Sequence, residues 1–182
     1  MGGSERRAWR WDCSFLEIID QPSDGGFIKL LHRYMDNKDT ENQWRFTGFY
    51  RESETLRKIE AWDSLRNLNY NQQIPWLCVG DFNELLRQEE KLGGAVQNHG
   101  QMQQFRDVVD ECGFLDLGFV GTRFTWSNHF ADGQSIWVRL DRGLANNTWF
   151  MKFLGSLVHH LHCISFDHFP LLINLSGLDP PP

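Results

Sequence analysis

Three short runs bring together side chains able to move protons or hold a cation. In Trp76-Leu77-Cys78-Val79-Gly80-Asp81-Phe82-Asn83, a buried strand would deliver a carboxylate and a carboxamide just past its C-terminal end. Open sheets commonly place their sites there. Asp81 and Asn83 would point the same way if the chain stays extended. An ionised Asp accepts a proton from water or binds a cation, and an Asn donates to a phosphoryl oxygen. The same tetrapeptide also suits a plain turn in which both side chains bond to backbone. In Arg139-Leu140-Asp141-Arg142, Asp141 sits near the end of a strand, where a surface ion pair with either arginine would be worth little. In Ser165-Phe166-Asp167-His168-Phe169-Pro170, an imidazole needs a second group to fix its tautomer. Asp141 is the candidate for that group. Tyr50 ends another strand, and its phenol can bond a phosphate or pack locally.

Other groupings are weaker. His159, His160 and His162 lie in a strand-like run in which only His160 and His162 share a face, and no second ligand pair has zinc-finger spacing. Trp126 and Trp137 suit either base stacking or packing of a small sheet. Cys13, Cys78, Cys112 and Cys163 are far apart and form no C-x-x-C pair, so they read as reduced core thiols of an intracellular protein.

The elements that must position these groups are legible from Trp44 onward. Trp44, Phe46, Gly48 and Tyr50 alternate as in a strand. Ser53 or Thr55 can cap a helix with Leu56, Ile59, Trp62, Leu65 and Leu68 at helical spacing. The apolar run 74–79 reads as a strand buried on both faces. Met102, Phe105, Val108, Val109 and Cys112 mark a second helix, with Gly113 as its C-cap. Strand-like pieces follow at 114–117, 123–127, 136–140, 157–164 and 171–175, with a short helix at 147–153. The first 43 residues are harder to read; Trp9, Trp11 and Phe15 suggest a strand or packing arm. Residues 177–182 form a Pro-rich tail. Strands outnumber helices, which predicts an α/β or α+β sandwich.

Composition sets bounds on function. The chain has 182 residues, one domain's worth, with 41% hydrophobic and 23% charged residues. Eight Trp and 14 Phe argue against disorder. No run approaches the roughly 20 apolar residues of a membrane span, and the basic start leads into no leader-like apolar run. The net charge of −6 counts against a surface built mainly to grip polyanions, yet suits a carboxylate cluster around a cation.

Taken in order, the motifs resemble the endonuclease/exonuclease/phosphatase superfamily. They are most similar to the apurinic-type endonuclease domain of plant LINE-like, non-LTR retrotransposons. The resemblance covers 44–175. It rests on WRFTGFY at 44–50, PWLCVGDFNE at 75–84, Glu90-Lys91 with Gly93-Gly94, Phe105-Arg106 and CGFLDLGF at 112–119. It continues through Gly121, Phe124-Thr125-Trp126, Arg139-Leu140-Asp141-Arg142 and Asp167-His168-Phe169-Pro170. The family implies a four-layer sandwich of two mixed sheets flanked by helices, and Mg²⁺- or Mn²⁺-dependent hydrolysis of a phosphodiester, DNA being the expected partner. By this resemblance Asp81 activates water, Asn83 holds the phosphate, and Asp141 orients His168 toward it. Asp167 supports the metal, and Tyr50 lies against a phosphate oxygen.

The sequence also departs from that family. Its first strands, with an Asn and then a metal-binding Glu in an E-T-K-like run, have no counterpart in residues 1–43, where only Glu17 follows an apolar pair. Phe166 stands where a Ser is usual, and Arg51 where a Gly is usual. The expectation is therefore the C-terminal two thirds of a nuclease domain, at 44–176, lacking the first strands and having an incomplete metal site. The alternatives are a non-catalytic remnant of a mobile element and a phosphate- or nucleic-acid-binding module. An intracellular location, the nucleus included, accords with all three.

Overall fold

The computed structural model describes residues 8–10, 28–35, 44–51, 58–70, 73–129, 134–161 and 168–175. The element order is β1 (Ala8–Arg10), β2 (Ile28–Met35), β3 (Trp44–Arg51), α1 (Lys58–Leu68), β4 (Trp76–Asp81), β5 (Lys91–Leu92), α2 (His99–Glu111), β6 (Phe114–Asp116) and β7 (Val120–Gly121). There follow β8 (Trp126–His129), β9 (Ser135–Val138), β10 (Asp141–Asn146), α3 (Asn147–Lys152), β11 (Leu157–His160) and β12 (Leu171–Asn174). The strands form a five-stranded sheet in the order β2-β3-β4-β10-β6, a four-stranded sheet β1-β12-β11-β7, and a small three-stranded sheet β5-β9-β8. The first two are mixed: β3 and β4 are parallel, as are β11 and β7, and the other pairings are antiparallel. The expected α/β sandwich of mixed sheets is what the chain forms.

Period-two alternation explains the layering. All six residues of β4 are buried. Trp76 and Cys78 join Phe49, Trp62, Leu65, Phe105 and Val108 in a core beneath α1 and α2. Leu77 and Val79 face the other way and pack with Ala145, Trp149, Val158, Leu171 and Ile173, between the two larger sheets. The helical core is strongly aromatic. Phe49 and Trp62 stack at 5.7 Å, Phe49 and Phe82 at 4.7 Å, and Trp62 and Phe105 at 4.9 Å between ring centroids. Such pairs add to the area-dependent gain of burying rings this large.

Local chemistry sets the helix ends. The Asn98 side chain accepts from the N–H groups of Gly100 and Gln101 and caps α2. Gly113, with φ of 65°, ends it. The Asn146 carboxamide oxygen accepts from Trp149 and from Trp76, and its nitrogen donates to Ile74, so one side chain caps α3 and fixes the entry to β4. Along α1 the buried residues are Lys58, Ala61, Trp62 and Leu65. Ile59, read from spacing as a core residue, is 58% exposed, because the buried stripe turns one position away from it. The proposed caps Ser53 and Thr55 lie outside the described residues.

Gly80 is the tightest backbone position next to Asp81. Its φ is +149°, and an added Cβ would overlap the carbonyl oxygen of Phe49 on β3. Gly80→Ala therefore has to push β3 and β4 apart where they carry Tyr50 and Asp81. A loss of about 2–4 kcal/mol is expected, in the range of severe backbone and overpacking lesions. Thermal unfolding checks it; an unchanged melting temperature would show that the strands yield freely.

Candidate active site

β4 and β10 are antiparallel neighbours, and their register sets Asp141 directly opposite Asp81. Like charges at such a position repel, so two carboxylates there require a positive group or a proton between them. His168 supplies an imidazole. Its Nδ1 lies 2.9 Å from Asp141 Oδ2, and its Nε2 lies 3.9 Å from Asp81 Oδ2. An ionised carboxylate only accepts, so Nδ1 carries the proton and donates to Asp141. That leaves Nε2 directed toward Asp81. The carboxylates are about nine-tenths buried, and the His168 side chain is 30% exposed, so the imidazole forms the open side of the group.

The backbone after Asp81 does not stay extended. Asn83 is the non-Gly residue with positive φ among those described, at 49°, and its N–H donates to Asp81 Oδ1 at 2.8 Å. The plain-turn reading is thus partly correct, since one Asp81 oxygen holds the turn. The turn also carries Asn83 to the wall of a cavity of about 460 Å³ that His168 lines from the opposite element. Phe82 between them is fully buried in the aromatic core, and its N–H bonds to the Leu140 carbonyl at 3.1 Å, so the turn is anchored on both sides. Leu85, Trp126, Val138 and Leu140 form the apolar part of the wall, with Lys58 and Glu84 paired beside them. Trp126 is therefore a rim residue of this cavity.

Tyr50 is the parallel-strand neighbour of Asp81 and is 39% exposed. It stands two strands away from Asp141 in the sheet, with Asp81 on the strand between them. Asp167 lies outside the described residues, as do His162, Cys13 and Cys163. Among the described residues, the ligand atoms of Asp81, Asp141 and His168 come within 4.8 Å of one another, and this is where a cation could be held. Cys78 and Cys112 are buried thiols: burial raises Cys78 well above its ordinary value and pushes Cys112 up to about 12, so neither is a ready nucleophile.

Arg139 and Arg142 do not pair with Asp141, contrary to the surface reading. Both turn inward. Arg142 reaches Glu90 at 3.0 Å and Asp116 at 3.2 Å, and Arg139 reaches Glu90 at 3.2 Å and Asp116 at 2.8 Å. This buried network ties β6, the turn before β5 and the start of β10 together, and it leaves Asp141 to His168. Burial would raise the carboxyls of Glu90 and Asp116, but the two guanidiniums outweigh it and hold both below their ordinary values. His160 is lowered by burial, which its bond to the Thr122 carbonyl only partly offsets.

These shifts fix the direction of acid instability. Above about pH 6.5 all three groups contribute fully. As pH falls below His160's ordinary 6.5, the unfolded chain takes up a proton that the folded chain resists. Below 4.5 and 3.8, the ordinary values of Glu90 and Asp116, unfolded carboxylates protonate before folded ones, and the ion-network contribution disappears once pH passes the folded values. The melting temperature is expected to fall from pH 7 to 5 and more steeply below 4.5. A flat or rising profile would contradict this.

Sequence reasoning missed Thr125. It is fully buried, and its hydroxyl accepts from the N–H groups of Leu140 and Asp141, both at 3.0 Å. The Phe124-Thr125-Trp126 run held the signal, since a Thr inside an aromatic pair is a polar group that burial obliges to find partners.

No protein-family model matches the sequence, and no curated protein matches it. Solved structures do match in shape. The endonuclease domain of TRAS1, a telomere-specific non-LTR retrotransposon, aligns with a TM-score of 0.60 at 14% identity, over 80% of this chain and 62% of that one. The AP endonuclease LMAP of Leishmania major aligns at 0.54 and 11% identity, over 79% of this chain and 53% of that one. Beta toxin of Staphylococcus aureus aligns at 0.51 and 14% identity, over 80% and 57%. The chain spans less than two thirds of each. What the chain shares with these structures is their mixed α/β sandwich fold.

Proposed function

We propose that this chain is a divalent-metal-dependent phosphodiester hydrolase acting on DNA. The observation that carries the reading is the meeting of Asp81, Asp141 and His168 at one end of the sandwich, with the imidazole bonded to Asp141 at 2.9 Å. Two facing carboxylates fit a hard cation, since Mg²⁺ is commonly held by one or two carboxylates and keeps several waters. Of the facing pair, Asp81 would hold the cation while Asp141 is engaged by His168, and Asp167 would join Asp81 as the family resemblance implies. When bound, Mg²⁺ or Mn²⁺ supplies positive charge to the phosphate oxygens as negative charge builds up.

The chain's own groups divide the remaining work. Asp81 orients the attacking water and accepts its proton. Asn83 donates its amide hydrogens to a phosphoryl oxygen from the cavity wall. His168, with Nδ1–H held by Asp141, presents Nε2 to the phosphate and donates there when protonated. Asp141 is a positioning residue. Tyr50 stands at the edge of the site, where its hydroxyl reaches a phosphate oxygen of a longer substrate. The TRAS1 and LMAP domains are endonucleases by name, which supports nucleic acid as the substrate class.

Supercoiled plasmid and a duplex containing an abasic site, each with Mg²⁺ and with EDTA, provide the test. Cleavage in Mg²⁺ that EDTA stops supports the reading. Cleavage that persists in EDTA, or none on either DNA, defeats it. A salt-sensitive gel shift without cleavage would instead favour the nucleic-acid-binding module.

A further inference from the structure

The structure assigns Thr125 as the positioning residue that sets the Asp141–His168 pair, an inference that rests on the hydrolase reading above. Asp141 and His168 lie on different elements, one at the start of β10 and the other in the segment before β12. Nothing in either element alone fixes a 2.9 Å contact between them. Thr125 touches both. Its hydroxyl oxygen accepts from the backbone N–H groups of Leu140 and Asp141, at 3.0 Å each. Its own carbonyl accepts from the N–H of Phe169 at 2.7 Å, the residue after His168. Its N–H donates to the Val138 carbonyl at 2.9 Å. The next residue, Trp126, forms an isolated antiparallel bridge with His168 itself.

One residue therefore clamps the backbone on both sides of the carboxylate–imidazole contact. The two bonds through its main chain survive substitution by Ser, Val or Ala, whereas the two at the Asp141 end depend on the hydroxyl. Both lone pairs of that oxygen are occupied by N–H groups. Removing it leaves a buried donor at Asp141 and a partly buried one at Leu140 without an acceptor, so the start of β10 must shift to find water or another oxygen. The Asp141 carboxylate moves with it, away from His168. Thr125 reaches no substrate in this arrangement; its effect passes through Asp141. Ser retains the hydroxyl, whereas Val matches the shape without it.

The expected result is a fall in kcat of about 10–100-fold in Thr125→Val, the range seen when a supporting partner is lost. KM stays within about twofold, and Thr125→Ser recovers most of the rate. Thr125→Ala, which removes the same hydroxyl without Val's second methyl, is the companion variant should Val distort the core. The second readout does not need turnover. Nitrogen-15 spectra of His168, taken without metal at neutral pH, should show the Nδ1–H tautomer in the unaltered chain and in Thr125→Ser. In the Val or Ala variant they should show a mixed population. If the unaltered chain cleaves nothing, the hydrolase reading fails, and the spectra alone decide whether Thr125 sets the pair. An unchanged tautomer in a hydroxyl-free variant overturns the assignment. So does a Ser variant as impaired as the Val variant.

Discussion

Asp81→Ala is expected to lower the rate of Mg²⁺-dependent phosphodiester cleavage by about 10²–10⁴-fold, the contribution typical of a positioned acid–base group. Asp81 is nearly buried, one of its oxygens holds the Asn83 turn, and the other faces His168. The substitution therefore removes the proton acceptor and loosens the loop that presents Asn83. Asp81→Asn separates these effects. Its carboxamide oxygen still accepts from the Asn83 N–H, so the turn survives while the charge is lost. Both variants should lose rate, and Asn should retain more of the melting temperature. Equal stability with equal loss of rate would show that the turn contributes nothing. Full activity in either would remove Asp81 from the chemistry.

Arg142→Met is expected to be the most damaging change to stability. Its side chain is fully buried and serves Glu90 and Asp116 together, besides the carbonyls of Glu84 and Arg139. Without it, two largely buried carboxylates keep only Arg139 between them. Breaking one side of a buried ion pair costs about 3–5 kcal/mol, which for a chain of this size is a fall of about 6–20 °C in melting temperature. The contrast is Arg66, whose pairs with Asp63 and Glu111 are exposed, so that Arg66→Ala should cost about 1 kcal/mol or less. A calorimetric scan that ranks Arg66 above Arg142 would contradict the network's role. The Arg142 change should also impair cleavage, because the network holds the first residues of β10, where Asp141 lies.

Much of the site could be read from residue types. The buried run ending in Gly80-Asp81 is a strand, its carboxylate does lie at the strand end, and Asp141 lies 2.9 Å from Nδ1 of His168. What the sequence concealed was β10. Asp141-Arg142-Gly143-Leu144-Ala145-Asn146 carries two charges and a glycine, and no period-two apolar pattern announces a strand. Every one of its residues is nevertheless buried, because tertiary partners satisfy the polar ones: Glu90 and Asp116 for Arg142, and His168 for Asp141. Local pattern cannot register partners from distant elements. The apparent end of one strand at Asp141 is thus the beginning of the next.

The N-terminal residues were opaque for a related reason. β2, Ile28–Met35, alternates poorly, and its place is set by pairing with β3 through the full register from Ile28 opposite Arg51 to Met35 opposite Trp44. β5 and β7 have two residues each, too short to show any period. The turn at Asn83 was one of two readings its tetrapeptide allowed, since Asn tolerates the left-handed region without needing glycine.

In the proposed reaction, three groups from β4, β10 and the segment before β12 act as one unit on one phosphate. Single-turnover cleavage of a short duplex in Mg²⁺ by the intact chain, Asp81→Ala, His168→Ala and the double variant tests this most directly. Groups that act together are strongly non-additive. The double variant is predicted to be no slower than the worse single variant, within about threefold. Losses that multiply would show that Asp81 and His168 act independently, and cleavage undiminished in the double variant would place the chemistry elsewhere in the molecule.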